Sequence, residues 1–380
     1  LPMAEAMRIL RSVGGRVVGG HRLIVGLSTG LRFAANPCEE SSRLGCMSAE
    51  SSLSSGIAVN DLDPKVRPQD DLYRHVNGAW IDRTEIPSDK ARYGSFMVLA
   101  EEAEEAVRDI IIESQSAQPG TEERKVGDLY ASFLDEARAD ELGATPIAAQ
   151  LADAAAVDSI STLLSTLGRL ERGGTSGFFQ LFVDNDPGNP ERYLVFLEQG
   201  GLGLPDESYY RDEKFADVLS KYGTFIERML TLAGLDAPAA RAARIVALET
   251  EIASKHWDNV ANRDSEKTYN PMTWQAANDL AGAVDLSVWL DAIDVPAHAF
   301  DEVVVRQPSF AQGLESVLSD DHLQAWRDWL AWPVIRTNAA YLSGDFVEAN
   351  FDFYGRTLSG TPQLRARWKR GVSLVEGVLG

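Results

Sequence analysis

Through most of this chain apolar residues return every three or four positions, the period of a helix buried on one side. Over about 96–114 the repeating positions are Val98, Leu99, Ala103, Val107, Ile110 and Ile111. Gln118-Pro119-Gly120 breaks that pattern, and Thr121 with Glu123-Arg124 restarts it. The second helix buries Val126, Leu129, Tyr130, Phe133 and Leu134. Helices follow at about 144–156 and 159–172, the latter capped by Asp158. The period then switches to two. Residues 178–183 and 193–197 read as strands on either side of a turn rich in Asp, Asn, Pro and Gly, which makes a β-hairpin. Helical spacing resumes at about 212–232 and again behind Asp236, where Pro238 sits in the first turn of a helix running to about Asn262. A short helix at about 274–280, a short strand at 303–305 and helices at about 308–318, 321–341 and 343–354 complete the pattern. The expected fold class is therefore mainly α, a multi-helical lobe with a small inserted β-hairpin.

One stretch, 67–96, is denser in signals than the rest. Asp70, Asp71, Leu72, Tyr73 and Val76 open a short helix, and Asn77-Gly78 is expected to close it. Trp80 and Ile81 follow as apolar anchors. Ile86-Pro87 forces an extended step, and Ser88 or Asp89 can cap what comes next.

Charge narrows the function. The formal net charge is −21, which repels phosphate backbones and anionic bilayers, so nucleic acid is not an expected partner. The only cysteines are Cys38 and Cys46, so no disulfide framework holds the main body. Residues 1–46 draw their basic character from arginine alone, and their apolar runs are too interrupted for a membrane span or a clear signal peptide. They are expected to be a non-native or disordered leader, with Met47 as the native start; an unusual export segment is the alternative. An N-terminal arm would cover 47–66 and a helical domain 67–380. The last helix carries an apolar stripe of Leu374, Val375, Val378 and Leu379, so the domain is expected to be truncated at its C-terminal end. Stable membrane insertion is not expected. The compartment stays open between bacterial cytoplasm and secretion without a clear signal peptide.

Little catalytic chemistry is visible. The five histidines, His21, His75, His256, His298 and His322, include no pair four residues apart and none followed by Glu. His256 and His322 read as surface or helix-end residues, and His75 as a polar helix-end residue. Glu101-Glu102 and Glu249/Glu251 could form a glycosidase pair, but an exposed helix face is the better reading in so acidic a chain. No Gly-x-Ser-x-Gly occurs in 47–380. The run Gly200-Gly201-Leu202-Gly203-Leu204-Pro205 lacks the Lys-Ser/Thr of a phosphate loop and reads as a tight turn with close backbone approach. Arg92 and Phe96 remain. If helical, they share a face, and an arginine beside a ring suits the carboxylate and an apolar side chain of a peptide; ordinary packing or a surface ion pair is the competing account.

Several words in this order resemble the neprilysin and endothelin-converting-enzyme family of zinc metalloendopeptidases. They are Asp70-Asp71-Leu72-Tyr73, Val76-Asn77-Gly78-Ala79-Trp80, Ile86-Pro87 and Arg92-Tyr93-Gly94-Ser95-Phe96. Further on come Gly203-Leu204-Pro205 before Tyr209-Tyr210, then Tyr269-Asn270-Pro271-Met272-Thr273, and Arg367-Trp368-Lys369-Arg370. The resemblance covers 56–380. It implies a parent with two largely helical lobes around a cavity, cleaving short peptides. The thermolysin-like lobe carries zinc on a His-Glu-x-x-His helix, and the other restricts access. This chain would be mainly the restricting lobe, lacking the thermolysin-like catalytic half. It is expected to bind no zinc, to have no catalytic or metal residues of its own, and to be inactive alone. Its implied partners are short peptides and the missing C-terminal catalytic domain. Arg92 would hold the peptide's distal carboxylate or backbone, and Phe96 would line the first primed pocket. Met97 and Ala100 stand where neprilysin has an acidic residue and an arginine, which implies an altered second primed pocket. The alternative is a free-standing, non-catalytic helical peptide-binding protein.

Overall fold

A computed structural model of the chain describes residues 58–379, which fall into two units, 58–87 and 88–379. The expectations for 1–46 and for most of the 47–66 arm lie outside the described residues.

In the first unit, helix α1 spans Leu72–Arg83, with the Asp71 side chain accepting from the Arg74 amide at its start. Asn77-Gly78 does not close it. The helix runs straight through, because Gly78 is not in a left-handed conformation but faces the side chain of Asp63. A Cβ at Gly78 would stand 2.5 Å from the Cβ of Asp63. Here the glycine serves close approach, not a turn. His75 is likewise inside the helix, with its Nδ1 2.7 Å from the Val66 carbonyl.

The second unit is helical with one sheet. Its elements are α2 Ser95–Ser114, α3 Glu122–Leu134, α4 Glu136–Leu142, α5 Ala148–Ala155, α6 Ile160–Arg172, β1 Phe179–Asp186, β2 Asn189–Gln199, α7 Ser208–Arg211, α8 Ala216–Leu232 and α9 Pro238–Ala253. Then come β3 Pro271–Thr273, α10 Trp274–Asp279, α11 Ser287–Ile293, β4 Glu302–Val305, α12 Pro308–Val317, α13 Leu323–Asn338, α14 Gly344–Asn350, a wide π-type turn over Phe351–Leu358, and α15 Arg367–Leu379. Thr121 caps α3 as expected. At α6 the cap is Ser159, not Asp158: Ser159 and Thr162 exchange amide-to-hydroxyl bonds of 2.9 and 3.2 Å. The helix behind Asp236 stops at Ala253, nine residues short of the expected end.

The expected hairpin is present as antiparallel β1 and β2, and it is not alone. β4 joins β2 in parallel and β3 adds antiparallel to β4, giving the order β1-β2-β4-β3. Through this sheet Phe178 and Phe179 reach Trp289, Trp326 and Phe310. These rings belong to the main core, which also buries Trp332, Tyr222 and Phe300. Its buried polar groups are paired across elements. Asp328 on α13 takes Arg241 and Arg244 of α9, both at 2.6 Å. A second, much smaller core of Ile111, Tyr130, Val372 and Val375 joins α2, α3 and α15. There the helices touch at glycine: a Cβ on Gly371 would lie 2.7 Å from the Tyr130 ring.

Candidate functional site

The segment carrying Arg92 is irregular, with a turn at 88–89 and a bend at 91, so Arg92 lies outside α2 and Phe96 in its first turn. The two do not share a helical face as i and i+4. They are nonetheless both presented outward. Phe96 is 82% exposed, and exposed Arg92 has no hydrogen bond or ion pair among the described residues. Of the two positions that depart from neprilysin, Ala100 is exposed and Met97 half-buried.

Around Arg92 the chain is tied down. The Ser88 hydroxyl donates to Gln363 at 2.6 Å, and the Gln363 amide donates to the Ser88 carbonyl at 3.0 Å. Glu101 on α2 gathers three groups: Lys90 at 3.0 Å, the Tyr93 hydroxyl at 3.1 Å and Lys369 of α15 at 3.2 Å. Burial pushes the Glu101 carboxyl up, but bonds from Lys90, Lys369 and Tyr93 outweigh it and hold the group below the usual carboxylate range. Glu101 is therefore neither catalytic acid nor free surface charge.

One turn on, Glu104 is buried and paired with Arg365. The less exposed residues of α2 are thus mixed: Glu101, Glu104 and Arg108 stand beside Met97, Val98, Val107 and Ile111. Its outward side carries an apolar stripe, Phe96, Leu99, Ala103, Ala106 and Ile110 at helical spacing and all exposed, flanked by exposed Glu102, Glu105 and Asp109. The expected burial of Leu99, Ala103 and Ile110 is reversed. Charges went inward because distant partners meet them, and the sequence period could not show those partners. A Glu-x-x-Glu repeat opposite the apolar stripe is the one local signal that could have marked this face.

Other candidates are absorbed by the fold. Glu249 is not on an exposed face; its carboxylate is buried and accepts from the hydroxyls of Tyr210 at 2.7 Å and Tyr222 at 2.9 Å. Burial raises its pKa, against those hydrogen bonds. The glycine-rich run wraps this network, and a Cβ on Gly203 would meet the Tyr222 hydroxyl at 1.7 Å. His256 is half-buried, not superficial. Its Nε2–H donates to the Gly200 carbonyl at 2.8 Å, and burial pushes its pKa down to about 4. His322 bridges Ser319 and Glu251. An open cleft of about 320 Å³ beside His256 is walled by Arg211 and Lys267, but both cations are already paired. Among the described residues no three His, Cys, Asp or Glu side chains converge to hold a metal ion, so these residues do not fit a zinc site. No described helix is long and apolar enough to cross a membrane.

Residues 68–380 match the N-terminal model of the family described as Peptidase family M13. The chain belongs to this family. Zinc metalloprotease Zmp1 of Mycobacterium tuberculosis, solved with an inhibitor, is 43% identical with a TM-score of 0.82, over 86% of this chain and 50% of that one. Endothelin-converting enzyme 1 of Cavia porcellus is 26% identical over 353 residues, 88% of this chain and 45% of the relative. Endothelin-converting enzyme-like 1 of Homo sapiens is 28% identical over 312 residues, 77% of this chain and 40% of the relative. The M13 chain thus spans half or less of the length of these relatives. The mainly α lobe described above is the N-terminal domain of a neprilysin-family metallopeptidase.

Proposed function

We propose that this M13 chain is the substrate-restricting, peptide-contacting part of a zinc endopeptidase that cleaves short peptides. In this reading Arg92 takes a carboxylate or backbone carbonyl of the peptide and Phe96 meets an apolar side chain on its primed side. The observation that supports it is the contrast at one place: a free guanidinium and an 82% exposed ring on a segment otherwise held by hydrogen bonds and ion pairs. A ring carried on a held backbone is less expensive to use in binding, since less backbone freedom remains to be lost. Arginine suits a carboxylate through its paired donors.

No step of hydrolysis is assigned to the residues of this chain. The 380 residues contain no His-Glu-x-x-His, so the zinc and its water would be held elsewhere in the parent, and this chain alone would not hydrolyse peptides. The parent activity is carried over from relatives that are peptidases.

The test is a titration of the natural full-length protein with a short peptide that has a free C-terminus. Arg92→Ala is expected to weaken binding by about tenfold, the loss typical of one charge-assisted contact. A peptide amidated at its C-terminus should lose affinity for wild type and not for Arg92→Ala. Equal affinities of wild type and variant, with unchanged melting, would remove Arg92 from the site.

A further inference from the structure

Resting on that reading, we infer that Glu101 is a positioning residue for peptide recognition: it fixes the irregular segment 88–94 so that Arg92 and Phe96 stand outward together. Arg92 lies between two residues, Lys90 and Tyr93, that both turn to the same carboxylate, at 3.0 and 3.1 Å. With the residues on both sides of it tied to one carboxylate, the backbone at Arg92 is held, and its unpaired side chain is exposed. Glu101 itself sits on α2, five residues after Phe96, so one carboxylate references the segment to the helix that carries the ring.

The third group on Glu101 decides that the anchor is a built one. Lys369 comes from α15, 268 residues away in sequence, and its ammonium reaches Glu101 at 3.2 Å and Asp89 at 4.0 Å. Lys90, Lys369 and Asp89 keep less than a fifth of their side-chain surface exposed. Asp89 and Glu101 facing Lys90 and Lys369 make two opposite pairs, a near-neutral cluster with each charge met. Because the groups are shielded, their geometry is held more tightly than that of a loose surface pair. Glu101 does not touch the proposed peptide position; it acts through Arg92 and Phe96. Preorganisation of this kind lowers the ordering cost of binding without adding a contact.

The test compares Glu101→Ala, Glu101→Gln and Arg92→Ala in the natural full-length protein, using a short peptide substrate. Glu101→Ala is expected to raise KM about as much as Arg92→Ala, roughly tenfold, with kcat within about twofold, because uniform binding is lost and not chemistry. Glu101→Gln keeps an acceptor for Tyr93 and should recover part of the loss. The double variant should be hardly worse than either single one, since both remove the same contact. Amide hydrogen exchange supplies an independent readout: Glu101→Ala should speed exchange across 88–96 and leave the main core protected. If Arg92→Ala raises KM and Glu101→Ala does not, the positioning role is overturned and the peptide contact stands. If Arg92→Ala has no effect, the peptide contact falls, and exchange across 88–96 alone upholds or overturns the anchoring by Glu101.

Discussion

The main core and the small α2–α3–α15 core solve the same problem in opposite ways. In the main core large aromatics are inside and nearly every buried charge is paired with a residue from another element: Asp328 with Arg241 and Arg244, Glu249 with two tyrosines. In the small core four apolar residues are joined by charged groups on the inner face of α2, while the apolar stripe from Phe96 to Ile110 looks outward. The difference separates two tasks. A region whose stability comes from its interior can hide its hydrophobes. A region that keeps an apolar face outside must be held by something else, here ion pairs and glycine-mediated helix contacts. On the proposed reading, stability resides in the first and recognition in the second.

The most severe way to strain this division is Trp289→Ala. Trp289 is fully buried between Phe178, Phe179 and Trp274, and its indole N–H donates to Glu171 at 2.6 Å. Its removal leaves a cavity and an unpartnered carboxyl, and should cost about 3–5 kcal/mol in denaturant melts. A loss near that of a surface change would mean the main core does not carry the stability. The next effect is pH-dependent. His256 has an ordinary value of 6.5 when free and about 4 when folded, so the unfolded chain binds the extra proton first. Stability is then full at neutral pH and is lost as pH falls from about 6.5 to about 4, by at most about 3 kcal/mol. His256→Gln should flatten that part of the curve. Burial also keeps Glu171 and Glu249 protonated above the usual carboxylate range, and these two act with the opposite sign, favouring the fold at lower pH. Urea melts at several pH values, wild type beside His256→Gln, isolate the histidine term.

How much of this was legible in the chain follows from how local each cause is. Thr121 at the start of α3, Pro238 in the first turn of α9 and the period-two run into β1 depend on residues close in sequence, and each is where the pattern places it. Asn77-Gly78 was ambiguous by nature: a glycine permits a left-handed turn and equally permits close approach, and only Asp63 opposite shows which. Glu249 and the inner face of α2 misled for one reason. A charged residue reads as exposed unless its partners are known, and Tyr210, Tyr222, Lys369 and Arg365 come from elsewhere in the fold. The β2–β4 pairing is non-local in the same sense, so the hairpin was visible and the four-stranded sheet was not. At the site, the order of short words around Arg92 pointed to the family, while the anchor at Glu101 needed the folded distances.

The smallest expected effect is the sharpest test of the contrast. Leu99 is a leucine in mid-helix, and its period would ordinarily place it in a core, yet it is 60% exposed. Replacing a core leucine by a small residue costs about 2–5 kcal/mol. Leu99→Ser should instead leave the stability of this chain within about 0.5 kcal/mol, because no buried contacts are lost and serine is only a slightly poorer helix former. Ile110→Ser, at 63% exposure two turns beyond Ala103, should behave the same way. Chemical melts of the two variants read the result directly. A loss above about 1 kcal/mol in either would show that the stripe is packed in solution, and the division between a stabilising core and an outward recognition face would fail at the helix that defines it.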